Sequence, residues 1–230
     1  MVNEIIKRIM KIEEIPGFAS KGYSFIARKF PFFKEFYGKV AKEVTEKISS
    51  GKMLDIGTGP GYLPLEIAKC TTDLKIIGID LSPGMIKIAN KNAKDRRLSY
   101  RVSFQVANAA NLPFENEYFD LVISTLSFHH WLKPIECIKE IFRVLKENGE
   151  AWIYEIRKDT SKEVNAQLRE KYGWFLSFWF LNIVRAHSSM SKSEIEKLLS
   201  SPEVPFSKKT IEDEGIILKL KLLKYGDYDE

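Results

Sequence analysis

Few residues in this chain of 230 combine a reactive type with a telling spacing, and most of them gather around one short stretch. Asp55 is followed by Gly57, Gly59 and Gly61 at alternate positions, with Thr58 between the first two. Glycine tolerates a left-handed backbone and, lacking a Cβ, lets main chain come close to a bound molecule. A nucleotide-like cofactor is the natural occupant of such a turn. The spacing disfavours NAD, because a dinucleotide turn requires G-x-G-x-x-G and Tyr62 holds the position of its last glycine. A second acid, Asp80, ends the apolar run from Leu74 to Ile79, where a carboxylate can meet a ribose diol. Two of the three histidines, His129 and His130, are adjacent after the apolar run Tyr118–Ser124, and their intrinsic pKa suits proton transfer near neutrality.

These residues need a scaffold of alternating strands and helices. Met53 to Ile56 is a short strand, and Leu63, Leu65, Ile67 and Ala68 begin a helix after the glycines. After Asp80, Ser82 can cap a helix whose first turn holds Pro83, with Ile86, Ile88, Ala89 and Ala93 facing the sheet. Val102–Val106 alternates as a third strand and leads to Asn108, Ala109 and Ala110. The run Tyr118–Ser124 reads as a buried central strand, so Ser124 stands at a site wall. A helix opened by Pro134 is expected to run through Leu145 to Asn148 and Gly149, followed by a fifth strand over Ala151–Glu155. Ser191-x-x-Glu194 is a capping box, and the alternation after Gly215 predicts a terminal hairpin.

Asp55-x-Gly57-x-Gly59-x-Gly61, with Asp80 downstream, resembles the first motifs of the class I S-adenosylmethionine-dependent methyltransferases, and the resemblance runs to about residue 155. It implies a doubly wound α/β fold, a Rossmann-like seven-stranded sheet that is mostly parallel with an antiparallel last strand and helices on both faces. By the same resemblance, Asp55, Gly57, Thr58, Gly59, Gly61, Asp80, Leu81, Met85, Asn108, Ala109, Ala110 and Ser124 would bind S-adenosylmethionine, or the product S-adenosylhomocysteine, with Leu81 under the adenine ring. The family commonly has an acid where this chain has Asn108. Tyr23 and Tyr37 are candidates to reach the cofactor carboxylate. His129 and His130 are the candidate catalytic pair, against the alternative that they cap, pack or meet solvent.

One domain is expected over 1–230: a helical cap to residue 50, a cofactor-binding core over 51–155, a helical insertion or lid over 156–205, and strands beyond. The aromatic stretch 172–184, with Trp174, Phe175, Phe178, Trp179 and Phe180, would cover an apolar acceptor, pack in the core or dock on a membrane surface. Of the net charge of +5, the first fifty residues hold +4, from ten Lys/Arg against six Asp/Glu; that excess reads as a solvated surface, since nucleic acid would call for a concentrated basic stripe. A small, partly apolar substrate is therefore the leading reading. RNA or protein methylation and cofactor binding without catalysis remain as alternatives. No metal is expected: Cys70 and Cys137 are too few for a cysteine site, and no acidic pair stands near Ser124. The two thiols, with no apolar run long enough to span a bilayer, point to a cytoplasmic protein of undetermined oligomeric state.

Overall fold

The structure, a computed structural model, describes residues 31–174, 177 and 190–225. Pro31 lacks the N–H that a first helical residue would leave unpaired, and it opens α1 (Pro31–Lys47). The chain continues through β1 (Ser50–Ile56), α2 (Tyr62–Cys70), β2 (Asp73–Asp80), α3 (Pro83–Asp95), β3 (Val102–Val106), β4 (Phe119–Thr125) and a 3₁₀ turn, Phe128–His130. It ends with α4 (Pro134–Val144), β5 (Leu145–Ile156), α5 (Lys162–Tyr172), α6 (Lys192–Leu199), β6 (Lys208–Glu214) and β7 (Ile217–Leu223).

The strands form a seven-stranded sheet in the order β3-β2-β1-β4-β5-β7-β6. β1 to β5 pair in parallel, and β7 runs antiparallel to both β5 and β6. Alternation along each strand divides the core between two faces. Met53, Ile76, Leu121, Ile123, Trp152 and Tyr154 meet α1, α2 and α3, while Leu54, Ile56, Val122, Ile153 and Leu218 meet α4 and α6. This is the expected doubly wound fold, and the Ser191 capping box closes on α6 as read from sequence.

Strand order reverses between β1 and β4. In open α/β sheets the crevice at the carboxyl ends of such a strand pair is where ligands bind. The loop after β1, which carries the glycines, and the loop after β4, which carries the histidines, are thus neighbours at one end of the sheet.

The sequence expectation fails at one boundary. The helix predicted to reach Asn148 stops at Val144, and Leu145 begins β5 by pairing with Phe119. Leu145 and Phe119 are both fully buried, so joining the sheet removes more apolar surface from water than another helical turn would. Asn148, at φ 59°, then lies in an irregularity of the strand, where the register shifts between Phe119 and Leu121. Among the described residues no helix is long and apolar enough to cross a membrane.

Candidate active site

The turn between β1 and α2 has the predicted left-handed backbone, with φ of 71° at Gly57, 51° at Gly59 and 76° at Gly61. Two of the missing side chains matter for packing within the protein. A Cβ on Gly57 would collide with the Ser127 side chain, and one on Gly61 would lie 2.5 Å from the Phe104 ring. The glycines therefore let the β4 loop and β3 close around the turn, in addition to leaving its backbone approachable.

Asp55 is 1 % exposed, and its Oδ1 is buried without a hydrogen-bond donor among the described residues. Burial raises its pKa to about 7; the nearby Thr58 hydroxyl opposes the shift, and the charge of Asp80 adds to it. Thr58 Oγ1 is likewise buried without a partner. Unmet buried polar atoms are rare in folded proteins, and two side by side at a switch point mark a place for a ligand.

Asp80, ending β2, is already engaged. Its Oδ2 accepts the Gly59 N–H at 2.9 Å and its Oδ1 accepts the Ser82 N–H at 2.8 Å, so it fastens the glycine turn to the start of α3. A carboxylate oxygen has two lone pairs and can accept more than one hydrogen bond, hydroxyl donors included. The sequence alone presented Asp80 as a ligand only; its bracing role appears with the fold. Leu81 is half-buried beside it, and Met85 is buried at 1 % exposure in the first turn of α3.

On the β3 side, Asn108 is exposed and its Oδ1 accepts the Ala110 N–H at 2.8 Å. The side chain thus shapes its own loop, while its amide N–H groups can donate outward. Ala109 is buried and Ala110 packs against the same core face. Tyr37 packs between the rings of Phe33 and Phe36 on α1, at centroid distances of 6.2 and 5.7 Å, while Tyr23 lies outside the described residues. Ser124, at the end of β4, is buried, with its Oγ 2.7 Å from Ser127 Oγ. Ser127 in turn donates to the Ile56 carbonyl at 3.2 Å and ties the β4 loop to the end of β1.

The histidines follow directly. His129 donates its backbone N–H to Glu155 Oε2 at 3.1 Å, and its Nδ1 lies 2.9 Å from Glu155 Oε1. Burial works against the imidazolium, but the charge and hydrogen bond of Glu155 outweigh it and hold the His129 pKa above the ordinary histidine value. The His130 ring lies beside it, with centroids 4.1 Å apart, and the His130 N–H donates to the Ser127 carbonyl. Glu155 is fully buried and escaped the reading from sequence, which treated it as the end of a strand. The available signal was an acid closing the apolar alternation Trp152-Ile153-Tyr154.

The aromatic stretch is described only in part. Gly173 ends α5, Trp174 is 63 % exposed, and Ser177 is buried with its Oγ donating to the Leu168 carbonyl at 2.7 Å. Phe175, Phe178, Trp179 and Phe180 lie outside the described residues. Among the described residues no cluster of three or more His, Cys, Asp or Glu is arranged to hold a metal ion.

Comparison with known proteins fits this geometry. Residues 47–202 match a family model described as a methyltransferase domain. The ubiquinone/menaquinone biosynthesis C-methyltransferase UbiE of Citrifermentans bemidjiense is 36 % identical over 112 residues, 48 % of this chain and 48 % of that protein. The chloroplastic tocopherol O-methyltransferase of Arabidopsis thaliana is 39 % identical over 119 residues, 50 % of this chain and 32 % of that one. The chain therefore spans about half the length, or less, of these curated relatives. Among solved structures, a Methanococcus maripaludis protein provisionally assigned as an S-adenosyl-L-methionine-dependent methyltransferase superposes with a TM-score of 0.74 and 25 % identity, covering 93 % of this chain and 95 % of that one. With the family model covering more than half of its length, the chain belongs to the methyltransferase-domain family.

Proposed function

We propose that this protein is an S-adenosylmethionine-dependent methyltransferase acting on a small, partly apolar molecule. The observation that carries the cofactor is the unmet Oδ1 of Asp55 beside the unmet Oγ1 of Thr58, on a glycine turn at the switch point of the sheet. A buried carboxylate without a donor fits a cationic ammonium group, such as the amino end of a methionine moiety. The bound cofactor would supply a methyl group activated on a positively charged sulfur.

Everything else falls to the chain. Asp55 and Thr58 hold the polar end, and Asp80, fastened by the Gly59 and Ser82 N–H groups, accepts hydrogen bonds from ribose hydroxyls. Leu81, Met85, Asn108, Ala109 and Ala110 border the base. Gly57 and Ser124 keep the turn closed against the end of β4, and Gly61 keeps it closed against β3. Methyl transfer to an aligned acceptor draws mainly on positioning and water exclusion. His129 and His130 stand on the acceptor side as the groups able to take a proton. The relatives named for ubiquinone, menaquinone and tocopherol methylation support an acceptor that is small and partly apolar.

Calorimetric titration with S-adenosylmethionine tests the cofactor assignment. The parent protein should bind, and Asp80→Asn, which loses its charge and sets an amide N–H against a backbone N–H, should weaken binding on the order of tenfold to a hundredfold. Unchanged affinity rejects Asp80 as a ligand. Incubation with labelled methyl donor and fractionated cell extract tests the acceptor, and label appearing in RNA or protein instead of a small molecule overturns that half.

A further inference from the structure

β4 and β5 are held in register by Ser124 opposite Ile153 and Thr125 opposite Tyr154. Beyond β4 the chain turns at Leu126, at φ 55°, whose N–H donates to the Tyr154 carbonyl at 2.8 Å. That bond carries the 3₁₀ turn over the end of β5 and brings His129 to Glu155. Both oxygens of this fully buried carboxylate are used: Oε1 accepts the Ile156 N–H at 2.9 Å and faces His129 Nδ1, while Oε2 accepts the His129 N–H. A carboxylate oxygen facing a ring nitrogen requires the proton on that nitrogen. Nδ1 is therefore the protonated nitrogen of neutral His129, and Nε2 carries the lone pair.

We infer that Glu155 is a positioning residue that fixes His129 as a base acting through Nε2, and that the acceptor is a hydroxylated ring compound whose O–H proton His129 removes. The inference rests on the methyl-transfer reading above. A phenol or enol needs such help, because its neutral hydroxyl is a weak nucleophile and its ionisation lies near pH 10, as for tyrosine. A neutral amine already presents its lone pair. In the step, the hydroxyl proton passes to His129 Nε2. The electron pair released, on oxygen or on a ring carbon conjugated with it, forms the new bond to the methyl carbon. The bond from that carbon to sulfur breaks, and its electron pair stays on sulfur as a neutral thioether. The imidazolium then returns its proton to water. Phe128, the first residue of the turn, is buried in the core and packs edge to face at 5.0 Å on Trp131, which is half-buried just past the turn, so the ring of Trp131 is the aromatic surface beside His129 that suits a ring compound. Among the described residues, the titratable groups in contact with His129 are Glu155 from β5 and His130 from its own turn.

The test uses Glu155→Gln, which keeps the shape and removes the charge, alongside the parent and His129→Gln. NMR titration of the histidine ring protons reads His129 without turnover: its midpoint should fall in Glu155→Gln. With S-adenosylmethionine and an alkyl-substituted hydroquinone, kcat should drop about a hundredfold, the acidic limb of its pH profile should move to lower pH, and KM should stay within about twofold. Combining both substitutions should cost little more than either alone. The matched alkyl aniline should turn over poorly with the parent. Glu155→Asp should restore part of the rate. An unshifted midpoint, a kcat profile that does not follow it, or preference for the aniline overturns the inference while leaving methyl transfer standing. Failure of the folded parent to bind S-adenosylmethionine overturns the methyl-transfer reading and this inference with it.

Discussion

Asp55→Asn separates the cost of a buried charge from the need for it. The Asp55 carboxyl is 1 % exposed and its pKa rises from 3.8 to about 7, chiefly through burial. A tenfold change in proton affinity is worth about 1.4 kcal/mol, so ionising this group inside the fold costs about 4 kcal/mol. A raised pKa means that the folded state holds the proton more tightly than the unfolded state. The associated stability is thus complete below pH 4, declines as pH rises, and is gone above about pH 7. Between pH 5 and pH 7.5 the parent should lose about 2–3 kcal/mol through this group alone, and Asp55→Asn should lose none of it. Urea denaturation of both proteins, without added ligand, at half-unit intervals gives the difference directly, and other titrating groups cancel where they are independent of Asp55. In thermal melts the same difference amounts to roughly 5–10 °C for a chain of this size. Above pH 7 the variant should be the more stable protein while binding S-adenosylmethionine far more weakly. A gap between the two proteins that stays constant from pH 5 to pH 7.5 would refute a protonated, buried Asp55.

Gly61→Ala should destabilise the fold by about 2–4 kcal/mol in chemical denaturation, since a residue at φ 76° would carry a Cβ 2.5 Å from the Phe104 ring and 3.1 Å from Ala89 Cβ; a loss under about 1 kcal/mol would show that the turn relaxes freely. Lys219→Met removes a buried ammonium 2.5 Å from Glu43 Oε2 and 4.2 Å from the Trp152 ring centre, and should cost about 2–4 kcal/mol near neutral pH by leaving Glu43 with a weaker set of partners. Although burial acts to raise the Glu43 pKa, its hydrogen bonds to Lys219 and Tyr154 lower it overall, so this stability is present above the unfolded value of 4.5 and fades as pH falls through the folded one. The gap between parent and Lys219→Met should accordingly shrink in acid denaturation below pH 4, and a constant gap would contradict the pairing.

The sequence by itself determined what lies within a few residues of its cause. Left-handed glycines, the Ser191 capping box, the Ser82 cap with Pro83 in the first turn of a helix and the alternating strands each follow from local backbone chemistry or from the period of apolar residues. Asp80 at the end of a strand was legible for the same reason. The rest depended on which strand lies beside which. Glu155 meets His129 across 26 residues of chain because the register of β4 on β5 places their carboxyl ends together, and register is settled by packing summed over both faces of the sheet. Gly57 makes room for Ser127 because β4 lies on one side of β1, and Asp80 braces Gly59 because β2 lies on the other. Leu145 left its helical pattern for the sheet because burial beside Phe119 outweighed one more helical turn. Asp55 shows the division within one side chain: the sequence placed an acid before the glycines, and the packed sheet alone withdrew it from water and left its Oδ1 without a donor.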